Sequence, residues 1–233
     1  MQMAGCAPKP GQKVVWLFDL DNTLHDARLA AFPYINRAMT AYIAAHLRLP
    51  LADADALRYK YWQMYGATLK GLVRHHHING EDFLAQTHVL PELEKRLVFD
   101  SSQLMSIAKL QGQKWVYTNG PRNYAHRVLT ATGCRHVFDG IWSVEDSLLG
   151  NEYRPKPDQE ALKQLLAALG AHPHQCILVD DSVQNLSCAK QLSLNTVWMC
   201  AYHDQDEKAR LQQQVHADAV ISRLDALSCF VKV

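Results

Sequence analysis

Cysteine is scarce in this chain. Six thiols, Cys6, Cys134, Cys176, Cys188, Cys200 and Cys229, are spread over 233 residues, and no two form a Cys-x-x-Cys pair. That excludes a disulfide scaffold and a zinc knuckle. An excess of charge is also missing: 24 Lys and Arg face 23 Asp and Glu, a net of +1. Such a balance gives no long-range attraction for nucleic acid or an anionic membrane, so neither is expected as a partner. No run of about 18 apolar residues occurs, so no membrane-spanning helix is expected. Residues 1–13, MQMAGCAPKPGQK, hold no apolar stretch. They are expected to be a loose tail over 1–12 rather than a signal peptide, and the chain is expected to be cytoplasmic with reduced thiols. Internal repeats and low-complexity segments are absent. With 11 glycines and 9 prolines, a collagen is excluded.

What is present suits a folded enzyme-sized chain. Hydrophobic residues make up 48% and charged residues 20%. A 26.3 kDa chain should bury about 70% of its unfolded surface, enough for a core without staples. The length predicts one large domain carrying a sizeable insert.

Strand and helix signals alternate. Val14-Val15-Trp16-Leu17-Phe18 is a continuous apolar run, the pattern of a strand buried on both faces. Residues 27–47 read as one long helix, with Pro33 near its first turns. Residues 53–65 and 67–77 read as helices, with shorter helical pieces over 81–97. Ser101 or Ser102 is expected to cap a helix running to Gly112. Strands follow at 115–117, 140–143, 176–179, 196–199 and 219–221. Helices are expected at 121–132, from Pro157 to Gly170, and at 183–192. The pattern predicts an α/β fold with a doubly wound parallel sheet. Its core covers 13–26 and 100–233, and a helical cap is inserted over 27–99.

The unusual polar residues sit at strand ends, where ligands bind in such sheets. Asp19 and Asp21 follow the first strand two residues apart, so both carboxylates can face one site. Asp180 and Asp181 end another buried strand. Four carboxylates at neighbouring strand ends repel unless a cation is present, and hard oxygen donors favour Mg²⁺. Thr118 ends a third strand, and the N–H groups of Asn119 and Gly120 follow it at a helix start, a natural anion seat. Lys156 lies between Pro155 and Pro157, which hold its backbone extended and aim the side chain.

DLDNT at 19–23, Thr118, Lys156 and VDDS at 179–182 resemble, in order, the four motifs of the haloacid dehalogenase superfamily of phosphohydrolases. The resemblance implies that Asp19 is a nucleophile forming an aspartyl-phosphate and that Asp21 is the general acid and base. It implies that Thr118, Asn119 and Lys156 bind phosphate. Mg²⁺ would be held by Asp19, by the backbone carbonyl of Asp21 and by Asp181, with Asp180 acting through water and Ser182 and Asn185 in support.

Almost a hundred residues separate Asp21 from Thr118, room for a cap that closes over small soluble phosphomonoesters. Fewer than forty separate Thr118 from Lys156. In the cap, Tyr61-Trp62, Tyr65-Gly66, Thr68-Leu69 and Gly71-Leu72 resemble the pyrimidine 5′-nucleotidase branch, which implies that Tyr61 and Tyr65 contact the substrate. Those aromatics at helical spacing also read as cap core. His75-His76-His77 cannot chelate one ion well, because adjacent helical residues diverge by about 100°. The expected activity is Mg²⁺-dependent hydrolysis of a phosphomonoester by a monomer or homodimer. A phosphomutase, a sugar-phosphate or phosphoglycolate phosphatase and an idle interaction module are the alternatives. A dehalogenase fits poorly, because that branch lacks the second acid of the first motif.

Overall fold

Each strand of the first half-sheet ends where an apolar run meets a polar turn, and the computed structural model, which describes residues 13–212 and 217–229, shows how those ends gather. The tail expected over 1–12 lies outside the described residues. In chain order the elements are β1 (Val15–Phe18), α1 (Ala27–Ala30), α2 (Phe32–Leu47), α3 (Leu51–Tyr65), α4 (Thr68–His76), α5 (Gly80–Thr87), α6 (Leu93–Arg96) and α7 (Ser101–Ile107). Then follow β2 (Gln113–Tyr117), α8 (Arg122–Ala131), β3 (Gly140–Trp142), β4 (Leu148–Leu149), β5 (Glu152–Tyr153), α9 (Gln159–Ala168) and β6 (Cys176–Asp180). The chain closes with α10 (Val183–Gln191), β7 (Asn195–Met199), α11 (Gln205–Gln212) and β8 (Ala219–Ile221).

Six strands form one parallel sheet in the order β3-β2-β1-β6-β7-β8. This is the doubly wound α/β core that the alternation predicts. Residues of β1 divide between its faces. Trp16 and Phe18 pack with Val116, Ile177, Val179 and Val197 on one side. Val15 and Leu17 pack with Leu165, Leu178 and Trp198 on the other. Burial on both faces is why these strands read as unbroken apolar runs. The central position of β1 sets the register: Phe18 lies beside Val116 of β2 and Val179 of β6. The next residues along the three strands therefore emerge together at one edge.

The helices between β1 and β2 have their own apolar cluster. Tyr42, Ile43, Ala54, Tyr61, Leu69, Leu72, Phe83 and Leu84 gather with Val144 and Tyr153 from the later chain. Ala27, Ile35, Leu90 and Leu93 instead join the sheet's core.

Local chemistry corrects several boundaries. The helix expected over 27–47 is broken at Ala31, and Pro33 sits in the first turn of α2. Proline has no N–H and its ring crowds the carbonyl four residues earlier, so one helix cannot run through it. Asp100, not a serine, caps α7: its carboxylate accepts from the N–H groups of Ser102 at 2.9 Å and Gln103 at 3.2 Å. The helix ends at Ile107, well before Gly112. Pro157 does not open α9. Asp158 caps it, accepting from Glu160 and Ala161, because its carboxylate satisfies first-turn N–H groups that have no partner within the helix. The β4–β5 hairpin, antiparallel and two residues a side, is too short to show as an alternating pattern.

Gly71 is required by packing. A Cβ there would lie 2.2 Å from Cγ of Tyr61, whose ring is buried against the α4 backbone. Gly71→Ala should destabilise the protein by about 1–3 kcal/mol, the usual cost of overpacking. Urea denaturation gives the value, and an unchanged midpoint would contradict this packing.

Candidate active site

Asp19 follows β1 directly, and its N–H donates to the Val179 carbonyl at 2.9 Å. This bond holds the first carboxylate against the end of β6, where Asp180 emerges. Lys156 arrives from the β5–α9 loop, and its ammonium donates to Asp19 Oδ1 at 2.6 Å and Asp180 Oδ2 at 2.8 Å. It also lies 5.0 Å over the Tyr117 ring. All three charged side chains are buried. An ammonium in that position offsets part of the repulsion between two carboxylates that water cannot screen.

One oxygen or more from each of Asp19, Asp180 and Asp181 lies within 4.8 Å of the others. Their carboxyl groups are not equivalent. Both oxygens of Asp180 are used: Asn185 Nδ2 donates to them at 3.0 and 3.1 Å, Ser182 N–H to Oδ1 at 2.9 Å, and Lys156 to Oδ2. Asp181 is held more lightly, by the side chain of Asn22, with the His203 Nε2 3.9 Å from Oδ2. Its backbone carbonyl accepts from Trp198 Nε1 at 3.0 Å. Burial pushes the Asp19 carboxyl up to about 7, against the pull of Lys156 and with the push of Asp180 and Asp21. Burial, then the charges of Asp19 and Asp180, push Asp181 well up. Three acids against one lysine leave negative charge that a divalent ion would neutralise. The donor set is all oxygen, so the residues fit Mg²⁺.

Asp21 stands apart from that group. Its Oδ1 accepts from the Tyr124 hydroxyl at 2.6 Å and lies 3.1 Å from His25 Nε2. Thr118 is buried at the end of β2, and its Oγ1 accepts from Gly120 N–H at 2.9 Å. The Asn119 backbone N–H follows Thr118, while its side chain serves another purpose. It clasps the Lys156 backbone, accepting from Lys156 N–H at 2.8 Å and donating to the Lys156 carbonyl at 2.9 Å.

The inserted helices meet the site at Gly66. A Cβ there would lie 2.2 Å from the Lys156 carbonyl oxygen, and φ is +77°, so only glycine fits both the space and the left-handed backbone. Tyr61 is buried in the insert's own cluster, with its hydroxyl 2.8 Å from His76 Nε2. Tyr65, half-buried beside Gly66, pairs with His75 Nε2 at 2.7 Å. Two of the three adjacent histidines thus bond different tyrosines rather than converging.

Tyr124, His25 and Asn22 carried no individual signal in the sequence. Tyr124 shows only as an inward position of a helix after Thr118, and its partner lies 103 residues away.

A strand-end carboxylate, a buried lysine and a hydroxyl on the central strands of a parallel sheet define the class. The profile of haloacid dehalogenase-like hydrolases matches residues 15–192, and the chain belongs to that family. Phosphate metabolism protein 8 of Saccharomyces cerevisiae is 25% identical over 202 residues, which are 82% of this chain and 62% of that protein. Validoxylamine A 7′-phosphate phosphatase of Streptomyces hygroscopicus subsp. limoneus is 27% identical over 122 residues, 52% of this chain and 55% of that protein. The matched stretches thus span a little over half the length of these two relatives. A haloacid dehalogenase-like protein of unknown function from Agrobacterium tumefaciens superposes with a TM-score of 0.59 at 19% identity, covering 94% of this chain and 98% of its own. That likeness concerns the fold. Among the described residues, no helix is long and apolar enough to cross a membrane.

His88, whose ring centroid lies 6.0 Å from that of Tyr124, is held down to about 4 by burial. Its folded value lies below the ordinary one, so the unfolded chain takes up a proton that the folded chain refuses. Stability is therefore full above about pH 6.5 and falls as pH drops toward 4. Denaturation at pH 7 and pH 5 should show His88→Gln losing less stability than the parent, by about 1–2 kcal/mol. Equal losses would refute the assignment.

Proposed function

We propose that this hydrolase is a Mg²⁺-dependent phosphomonoesterase that works through a phosphoaspartate on Asp19. The observation that carries the reading is the Lys156 ammonium set between Asp19 and Asp180, with the Thr118 hydroxyl at the next strand end. A nucleophile and two groups able to hold phosphoryl oxygens then share one edge of the sheet. The names of both relatives, one a phosphatase and one a phosphate metabolism protein, support the same chemistry.

In this reading an Asp19 oxygen bonds to phosphorus as the bond to the leaving oxygen breaks, and Asp21 gives that oxygen a proton. Asp21 then takes a proton from water, whose oxygen bonds to phosphorus while the Asp19–phosphorus bond breaks. Inorganic phosphate leaves. Lys156 and Thr118 bind the phosphoryl oxygens and spread their charge. Asp19, Asp181 and the Asp21 carbonyl would hold Mg²⁺, which supplies neutralisation of the phosphoryl group. Asp180, whose two oxygens already accept hydrogen bonds, holds Lys156 and would reach the ion through water. Asn119 acts through the Lys156 backbone. The core is taken as 13–26 and 100–233, and 27–99 as a cap that keeps water and large substrates out.

Turnover of p-nitrophenyl phosphate should vanish in EDTA and return with Mg²⁺, while Ca²⁺ restores it poorly. Asp19→Asn should remove turnover and phosphoenzyme together. Full activity in chelator would overturn the metal assignment, and a phosphoenzyme in the variant would overturn the nucleophile.

For the substrate we propose a pyrimidine nucleoside 5′-monophosphate. Tyr61 is enclosed in the cap, which leaves Tyr65, next to the Gly66–Lys156 contact, as the ring for a base. Stacking accepts any base, so preference must come from the space under the cap. UMP and CMP should have higher kcat/KM than AMP and GMP, and Tyr65→Ala should narrow that gap more than it lowers p-nitrophenyl phosphate turnover. A sugar phosphate or phosphoglycolate beating every nucleotide would end the nucleotidase proposal and leave the phosphatase standing.

A further inference from the structure

The two oxygens of Asp21 have unlike surroundings. Oδ1 receives the Tyr124 hydroxyl at 2.6 Å and faces His25 Nε2 at 3.1 Å. No described residue bonds Oδ2, and the side chain is 17% exposed. His25 is fully enclosed, and its Nδ1 has no partner among the described residues. A hydrogen on Nδ1 would be a buried donor without an acceptor, the rarer and costlier state. A bare lone pair there is cheaper. The network therefore assigns the hydrogen to Nε2, aimed at Oδ1. The Tyr124 ring is itself buried among Phe18-side core residues, and its hydroxyl also lies 3.5 Å from His25 Nε2. The backbone reinforces the placement: Asn22 N–H donates to the His25 carbonyl at 2.9 Å, closing the turn that brings His25 back to Asp21.

A carboxyl oxygen has two lone-pair sites. With two donors on Oδ1, both are filled. We infer that Tyr124 and His25 are positioning residues that occupy Oδ1 of Asp21 and so keep its transferable proton on Oδ2. The inference rests on the acid–base role proposed above for Asp21. In the first step the Oδ2–H bond breaks as the leaving oxygen gains the proton and its bond to phosphorus cleaves. In the second, Oδ2 gains a proton from water as the water oxygen bonds to phosphorus and the Asp19–phosphorus bond breaks. Without the two donors, the carboxyl group can rotate and the proton is shared between both oxygens.

The test compares two esters with unlike leaving groups. An alkyl ester such as glycerol phosphate needs its leaving oxygen protonated; p-nitrophenyl phosphate hardly does. Tyr124→Phe and His25→Leu should each lower kcat on the alkyl ester about 10-fold, within the range of general acid effects. KM should stay unchanged, and p-nitrophenyl phosphate turnover should change less than about 3-fold. His25→Gln, which restores an N–H near Nε2, should recover most of the loss, and thermal unfolding verifies that each variant is folded. Parallel loss on both esters, or no loss on either, overturns the inference. Asp21→Asn is run beside them. If it too lowers both esters alike, the acid–base reading itself falls. If it is selective and Tyr124→Phe is not, only the positioning inference falls.

Discussion

A buried ammonium between two buried carboxylates governs this molecule. Lys156, Asp19 and Asp180 come from positions 137 and 24 residues apart along the chain, and removing the lysine leaves two enclosed carboxylates without a counterion. Breaking such a group costs several kcal/mol, whereas the intact group contributes little net stability. Its presence therefore calls for a role other than holding the fold together, and the phosphoryl chemistry proposed for the site would supply one. The surrounding sheet serves to hold the three groups in register.

Around that centre the structure divides the four acids by what remains free on each. Asp180 is saturated by Lys156, Asn185 and the Ser182 N–H. Asp21 is bonded on one oxygen only. Asp181 has lighter contacts and a carboxyl pushed well up by burial and by its acidic neighbours. Identical side chains thus differ in their capacity to hold protons or metal, and the difference comes from which backbone and side-chain donors each strand end meets.

The inserted helices are tied to the same centre. Gly66 rests on the Lys156 carbonyl, and Asn119 grips the Lys156 backbone on both sides. Lys70 of α4 lies 3.5 Å from the Asp158 carboxylate that caps α9. The inserted helices thus touch the loop that carries the lysine.

Much of this was legible in the residues. The apolar run Val14–Phe18, the repeats of strand and helix, and the polar residues at 19, 118, 156 and 180 follow from burial and from the need of strand ends to meet solvent, both local properties of the chain. Boundaries at Ala31, Asp100 and Asp158 were not legible, because competing caps and a proline are resolved only when N–H groups find real acceptors. Asn119 was legible only through its backbone N–H at a helix start; that its side chain also holds the lysine backbone 37 residues on was not. Tyr61 was legible as aromatic at helical spacing, but only packing over Gly71 placed it inside the insert. One partner of Asp21 was beyond reach in the same way: Tyr124 meets it across 103 residues. Sequence by itself determined which residue types stand at which strand ends. Tertiary structure alone decided which of their oxygens Lys156 and Tyr124 bond, because those side chains reach them across 24 to 137 residues, a separation that carries no trace of the contact.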